Sequence, residues 1–325
     1  MRETVFVGKN EQRWQEYERL VMSMEGASPE QLAEAYAALT EDLAYAQVQY
    51  PERTVTRYLN HLVGRVHLVL MRTRAQTLDT IKKLFTSDLP VALLQIRFEI
   101  KVVLLLFLFT VTIGFVAGRE SDDVARLILG NHYVDMTIDN ISNGDPMGVY
   151  KSESWVMFVQ IASNNLLVML KAVALGALPL IGIAYITMIH GVMIGSFHAL
   201  FMQYGELERS LLTVWIHGTT EIAMLIISSA AGLSVGLSLM NPGTYARKEM
   251  FRIAARRAAL IAFGTIPVIV FAAALESFVT RYTEMPLVVN FLIIGGSGYA
   301  MYWYFWKYPS DVSKRSTHAS TIRKS

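Results

Sequence analysis

The sequence predicts an all-α polytopic membrane protein, with about six transmembrane helices preceded by a small cytoplasmic helical bundle. Hydrophobic residues make up 53% of the 325 residues and charged residues only 17%, a composition displaced from that of soluble proteins toward that of membrane proteins. The apolar excess is confined to the part of the chain after Lys101. There, long stretches without charge have the length that crosses a bilayer as a helix.

Six stretches are apolar enough to be predicted as transmembrane helices. They are 102–118, 155–174, 178–203, 210–239, 258–278 and 286–306. Gly176 and Pro179 mark the turn between the second stretch and the third, since glycine and proline interrupt helices. The second stretch has an alternative interpretation, as a helix that lies at the membrane interface.

The distribution of basic residues predicts the orientation of the spans. Dense clusters of Lys and Arg precede the first span, precede the fifth span and follow the sixth. Cytoplasmic flanks of membrane helices are enriched in Lys and Arg, and six spans place all these clusters on one side. We therefore expect both termini in the cytoplasm, whereas an odd number of spans would separate the first cluster from the last.

The change in composition divides the chain into three parts. Residues 1–98 are predicted to form a cytoplasmic helical domain, residues 99–307 the transmembrane domain, and residues 308–325 a disordered, basic cytoplasmic tail. In the first domain, Ser28 and Gln31 have the spacing of a capping box at the start of a helix. Apolar residues at helical spacing on both sides of it predict three or four packed amphipathic helices.

The composition and the missing motifs exclude several classes of function. The chain has no cysteine, which excludes disulfides, thiolate catalysis and cysteine-ligated metals. Its net charge of +2, without a strongly basic domain, argues against nucleic-acid binding. No glycine-rich phosphate loop, His-Glu-x-x-His or Gly-x-Ser-x-Gly motif occurs. We therefore expect no enzyme activity and no cofactor, and a docking or oligomerisation role for the N-terminal domain.

Polar side chains inside the predicted spans are the candidates for a functional site, because ionisable groups at membrane depth are costly. His217 and Glu221 lie four residues apart, on one face of the fourth span, with Glu221 near the bilayer middle. The pair could relay a proton, hold a cation or bind a polar lipid group, or it could simply fix helix packing. Asn164, Asn165 and His190 complete the predicted intramembrane polar site.

The partner expected for the Glu221 carboxylate is His217 itself. A metal site is not predicted, because one histidine and one carboxylate supply two ligands where zinc takes three or four from a protein. Glu276, at the outer end of the fifth span, is expected to be a solvated carboxylate at the rim.

Small residues recur every fourth position in two spans. Gly191 and Gly195 share one face of the third span, and Ser228, Gly232 and Gly236 share one face of the fourth. Small residues let membrane helices approach closely. This pattern predicts internal helix packing rather than dimerisation, although a homodimer is compatible with it.

A basic stripe precedes the fifth span. It consists of three residues at intervals of four: Lys248, Arg252 and Arg256. Such a stripe suits anionic lipid headgroups or an acidic partner, and ordinary enrichment of basic residues on the cytoplasmic side explains it equally well.

Several motifs together resemble one known family. They are Arg57-Tyr58-Leu59-Asn60-His61-Leu62-Val63, His67, Asn164-Asn165, His217-Gly218-x-x-Glu221-Ile222 and Ser229-Ala230-Ala231-Gly232-Leu233. In these motifs the chain is similar to the stage II sporulation protein M family of bacterial integral membrane proteins. The block 217–233 is the most specific part. His190, before Gly191, departs from the asparagine expected there.

The resemblance implies a multi-pass protein of the bacterial cytoplasmic membrane without catalysis of its own. One family member anchors peptidoglycan-degrading enzymes at the engulfing membrane of spore-forming bacteria. Relatives in organisms that never sporulate are often encoded beside MoxR-type AAA+ ATPases and von Willebrand factor A domain proteins. The resemblance therefore implies protein partners of these kinds, in addition to membrane lipid.

Two functions follow as hypotheses. The first is a non-enzymatic membrane scaffold whose cytoplasmic helices and basic flanks recruit partner proteins. The second is a transporter, channel or lipid translocase whose polar path passes the mid-membrane residues His217, Glu221 and Asn164 or Asn165. Intramembrane enzyme chemistry ranks below both, because no nucleophile or metal set accompanies the titratable pair.

Overall fold

A computed structural model describes residues 2–22, 28–73, 77–151, 153–283 and 285–314. The chain divides into two compact units, Met1–Lys83 and Leu84–Ser325. Every regular element among the described residues is a helix. The all-α membrane class predicted from the sequence is confirmed, since several of these helices are long and apolar enough to cross a membrane.

The N-terminal unit contains helices α1 (Glu3–Met22), α2 (Pro29–Gln49), α3 (Thr54–Thr73) and α4 (Thr77–Lys83). The first three pack around a core that includes Trp14, Leu39 and Leu59. The predicted capping box begins α2: Gln31 N donates to Ser28 Oγ at 3.2 Å, and Ser28 N donates to Gln31 Oε1 at 2.9 Å. These bonds satisfy backbone donors that the first turn of a helix leaves free.

The membrane unit begins with a π-helical turn and contains the remaining α-helices. They are α5 (Leu89–Gln95), α6 (Arg97–Gly118), α7 (Asp123–Leu129), α8 (Asn131–Ser142), α9 (Ser154–Gly176), α10 (Ile181–Gln203), α11 (Leu207–Met240), α12 (Arg247–Ala274) and α13 (Leu287–Tyr302). A 3₁₀ turn, Gly148–Lys151, precedes α9, and π-helical turns follow α12 and α13.

Five helices are long and apolar enough to cross a membrane: α6, α9, α10, α11 and α12 with its π-helical turn. They coincide with the first five predicted spans. The sixth predicted span corresponds to α13, whose regular α-helix has 16 residues and continues as the π-helical turn Trp303–Lys307. The α-helix alone is thus shorter than the five others, because a π-helical turn replaces its last part.

Helix α11 lies at the centre of this unit. It packs against α6, α9, α10, α12 and α13. Large apolar side chains on the outer helices point away from this core, as with Leu105 of α6 (68% exposed) and Leu292 of α13 (69% exposed). Apolar surface of this extent is unfavourable in water and suits the hydrocarbon of a bilayer.

Two predicted boundaries differ from the structure. The N-terminal unit ends at Lys83 and not at residue 98, because Leu89, Leu93 and Ile96 of the following segment are buried in the core of the membrane unit. The first part of the predicted disordered tail, 308–314, is instead helical. The rest of that tail, 315–325, lies outside the described residues.

The predicted small-residue faces lie at close helix contacts. A Cβ on Gly191 would stand 2.0 Å from Thr110 Oγ1, and one on Gly195 would stand 2.1 Å from the carbonyl oxygen of Val111, both on α6. A Cβ on Gly232 would stand 2.3 Å from the carbonyl oxygen of Val173 on α9. Only glycine permits these distances, so these positions bring helix backbones into direct contact.

The rest of the second small-residue face extends this contact along α11. A Cβ on Gly236 would stand 2.6 Å from Pro179 Cγ, in the turn between α9 and α10. Ser228, one turn before Gly232 on the same face, is fully buried, and its Oγ has no hydrogen-bond partner among the described residues. Its role there is that of a small side chain.

Candidate functional site

The candidate site is a group of three ionisable side chains at the centre of the membrane unit. His217 and Glu221 lie one turn apart on α11, and Glu276 approaches them from the π-helical turn after α12. One ligand atom from each, an imidazole nitrogen or a carboxylate oxygen, lies within 4.8 Å of the other two. Two helical segments that are distant in sequence thus meet at one polar point.

The hydrogen-bond partner of the Glu221 carboxylate differs from the predicted one. Asn165 Nδ2 of α9 donates a hydrogen bond to Glu221 Oε1. A carboxylate oxygen of Glu276 lies within 4.8 Å of one of Glu221. The hydrogen bond expected from His217 is thus replaced by one from Asn165, and His217 is instead hydrogen-bonded to Thr280.

Glu276 is also enclosed, contrary to the prediction that it is a solvated rim carboxylate. Its side chain is only 17% exposed, and its Oε1 lies 3.9 Å from His217 Nε2. The reason is the π-helical turn Leu275–Val279, which widens the end of the fifth span and changes the direction of its side chains.

His217 is held in one orientation by a hydroxyl group. Thr280 Oγ1 donates to the carbonyl oxygen of Leu275 at 3.2 Å and lies 3.0 Å from His217 Nδ1. Since the hydroxyl hydrogen is used by the carbonyl, Nδ1–H of the imidazole is the donor to Thr280. The unprotonated Nε2 of His217 then faces Glu276.

His198 of α10 repeats this arrangement. Ser210 Oγ donates to the carbonyl oxygen of Leu207 at 2.8 Å and lies 3.0 Å from His198 Nδ1. His198 Nε2 is buried and has no hydrogen-bond partner among the described residues. A buried polar atom without a partner is rare and indicates a missing ligand or water.

Two cavities meet at Glu221. The first, of about 260 Å³, is lined by residues that include Asn164, Asn165 and His190. The second, of about 420 Å³, is lined by a set that includes His198 and His217. Four residues line both cavities: Met193, Ile194, Glu221 and Ile222. All five members of the predicted polar site therefore border one of two adjoining spaces.

Two tyrosines from outside the spans close the second cavity. Tyr133 belongs to α8 and Tyr150 to the 3₁₀ turn, and the Tyr150 ring centroid lies 5.7 Å from that of His217. Burial raises the pKa of Tyr133 to about 12 and raises that of Tyr150 well above its usual value; the Glu276 carboxylate adds to both shifts. Both phenols therefore stay protonated and can serve as hydrogen-bond donors.

The other predicted residues have separate positions. His190 Nδ1 lies 2.9 Å from the carbonyl oxygen of Ile186, one turn earlier on the same helix, so this ring bonds to its own backbone. The basic stripe Lys248, Arg252 and Arg256 lies exposed on the first part of α12. It does not take part in the polar site.

Comparison with known proteins identifies the membrane unit. A family model described as stage II sporulation protein M matches residues 103–281, more than half of the chain. The chain belongs to the stage II sporulation protein M family. The matched region includes every residue of the polar site in this family member, including Glu276 and Thr280.

The N-terminal unit of this stage II sporulation protein M family member matches a second model. Residues 4–72 match a domain of unknown function, DUF8413. Neither a curated protein nor a solved structure matches the chain significantly. Membership of this family supports a membrane protein.

Proposed function

We propose that the membrane unit is a conduit for a small cation or proton. The observation that supports it is the meeting of two cavities at Glu221, where His217 and Glu276 also converge. An ionisable group at membrane depth needs a counter-charge, a shared proton or water. A structural hydrogen bond requires one such group and a partner. Here three ionisable groups lie together, and Glu221 lines both cavities and His217 the second, an arrangement that suits the passage of charge.

The orientation of the conduit follows from the basic flanks. Both termini lie in the cytoplasm, and α13 completes six crossings of the bacterial cytoplasmic membrane. In this arrangement the segment with Tyr133 and Tyr150 lies on the outer side. The second cavity, which these tyrosines border, is then the outer half of the path, and the first cavity, with Asn164 and His190, continues it toward the membrane centre.

Replacing Glu221 with glutamine tests the conduit. Glutamine keeps the volume and can still accept a hydrogen bond from Asn165, so the fold is expected to persist, while the charge that attracts a cation is gone. Flux of H⁺, Na⁺ and divalent cations into vesicles that contain the purified chain should fall by at least about tenfold for the ion that wild type conducts. Glu208→Gln, an exposed acid on the same helix, is the matched control.

The conduit is contradicted by either of two results. One is that the folded wild-type chain conducts none of these ions above protein-free vesicles. The other is that Glu221→Gln and Glu208→Gln conduct equally. Thermal unfolding in detergent, measured on the same preparations, distinguishes a folded variant that no longer conducts from a variant that no longer folds.

A scaffold function of the N-terminal unit is the second candidate, supported by a groove on that unit. The groove has a volume of about 470 Å³ and lies between α1 and α3. Three glutamates, Glu3, Glu11 and Glu18, line it together with the aromatic residues Trp14 and Tyr58. Acidic walls with aromatic surface favour a partner segment rich in Lys or Arg.

Charge reversal in this groove tests the scaffold. Glu11→Lys should remove about 1.4 kcal/mol of binding to a basic partner, which is a loss of about tenfold in affinity. The loss is measured by mass spectrometry of the proteins that copurify from native membranes. Glu16→Lys, also exposed on α1 but outside the groove, should capture partners as wild type does. The partners expected by family resemblance are peptidoglycan-remodelling enzymes or a MoxR-type ATPase with von Willebrand factor A domain proteins. Equal capture by both variants would contradict docking in this groove.

A further inference from the structure

The spacing of the three ionisable residues matches a metal site after a small contraction. Their ligand atoms lie within 4.8 Å of one another, and His217 Nε2 lies 3.9 Å from Glu276 Oε1. Metal–ligand bonds of about 2.0–2.2 Å in a tetrahedral site separate the ligands by about 3.4 Å. The side chains therefore need to move by about an ångström or less.

The imidazole is already prepared for coordination. Metal-binding histidines donate their other ring N–H to a fixed oxygen, which sets the tautomer and the ring direction. His217 donates Nδ1–H to Thr280, and Thr280 in turn is fixed on the carbonyl oxygen of Leu275. The lone pair on Nε2 is thereby directed toward the two carboxylates.

The imidazole of His198 is oriented by a hydroxyl group in the same way, and like His217 it lines the second cavity. His198 is 5% exposed, donates Nδ1–H to Ser210, and leaves Nε2 buried without a partner among the described residues. His198 lines the second cavity, so the lone pair of this nitrogen is available to a cation that enters it. A hydrogen-bonded core histidine would have both ring nitrogens satisfied.

The charge of the cluster also suits a divalent cation. The carboxyl groups of Glu221 and Glu276 bring two acidic groups to within 4.8 Å of the imidazole of His217. A divalent cation bound between them neutralises the negative charges of both carboxylates. Neutrality is what an enclosed site at membrane depth requires.

From this geometry we propose that His217, Glu221 and Glu276 bind one divalent transition-metal ion, with His198 as a ligand on the approach to it. Imidazole nitrogen with carboxylate oxygen favours Zn²⁺, Mn²⁺, Fe²⁺ or Co²⁺, whereas Mg²⁺ and Ca²⁺ prefer oxygen ligands alone. The chain has no cysteine, so thiolate sites for softer ions are absent. The inference deepens the proposed conduit by naming its ion, and it rests on that conduit only for the route by which the ion arrives.

Equilibrium dialysis against Zn²⁺ tests the site. The purified full-length chain, in detergent, freed of its purification tag and of metal, should bind one Zn²⁺ per chain. His217→Gln should weaken binding by at least about tenfold, and Thr280→Val, which removes the oxygen that orients the imidazole, by about tenfold. His132→Gln, an exposed histidine on α8, should bind as wild type does.

Three results would overturn the site: no stoichiometric Zn²⁺ in the folded wild type, wild-type affinity in both His217→Gln and Thr280→Val, or displacement of Zn²⁺ by an equal concentration of Mg²⁺. Thr280→Val keeps the side-chain volume and retains the binding residues, so it tests the site even if His217→Gln does not fold. Zn²⁺ binding without conduction overturns the conduit and leaves the site. Proton conduction by a chain that binds no Zn²⁺ overturns the site and leaves the conduit.

Discussion

Replacing Gly232 with alanine is expected to destabilise the membrane unit by about 2–3 kcal/mol, the usual effect of overpacking a close contact. The added Cβ would lie 2.3 Å from the carbonyl oxygen of Val173 and 2.9 Å from Gly176 Cα, both backbone atoms of α9. Backbone cannot rotate away as a side chain can, so α9 and α11 must separate. The apparent melting temperature in detergent should fall by several degrees.

The matched control is Gly295→Ala on α13, where a Cβ meets nothing within 4 Å. Alanine has a helix propensity better than that of glycine by about 1 kcal/mol, so this variant should be unchanged or more stable. Because α9 carries Asn165 and α11 carries Glu221, Gly232→Ala should also separate that hydrogen-bonded pair. Equal melting temperatures for the two variants would contradict the close backbone contact.

The positions of the membrane helices were predictable because span length and absence of charge are dictated by the bilayer. Helix α9, for which an interfacial position was the alternative, is among the helices long enough to cross and packs on α11 and α12. The boundary near residue 98 was not predictable from charge. Residues 84–98 carry polar groups, and only the tertiary packing of Leu89 and Leu93 assigns them to the membrane unit.

The candidate site was predictable in part. His217 and Glu221 share a helix, so their spacing alone places them on one face. Glu276 comes from another helix, and a π-helical turn rather than a regular α-helix directs it inward. A single sequence contains no signal for that turn, which explains why Glu276 was expected in solvent.

The role of the hydroxyl groups was not predictable either. Thr280 and Ser210 are ordinary helix-end residues in the sequence, and only the structure shows that each holds a histidine through its Nδ1. The two arrangements occur at separate places, and both histidines, His217 and His198, line one cavity. This repetition is what distinguishes the cavity from an incidental packing defect.

The central claim is that water and small cations reach the space shared by the two cavities, and cysteine accessibility tests it most directly. The chain has no cysteine, so an introduced cysteine is its single thiol, and no native residue has to be replaced first. Met193 lines both cavities, Leu105 is exposed on the apolar outer face of α6, and Tyr282 is exposed beyond the fifth span. A thiol ionises and reacts in water and stays unreactive in hydrocarbon.

The measurement is the rate at which a membrane-impermeant thiosulfonate modifies each single-cysteine variant in sealed vesicles. Met193→Cys is predicted to react at least about ten times faster than Leu105→Cys, with Tyr282→Cys as the fully accessible reference, since only the thiolate reacts. If Met193→Cys is as unreactive as Leu105→Cys while Tyr282→Cys is modified, the cavities are closed to water and the conduit is contradicted.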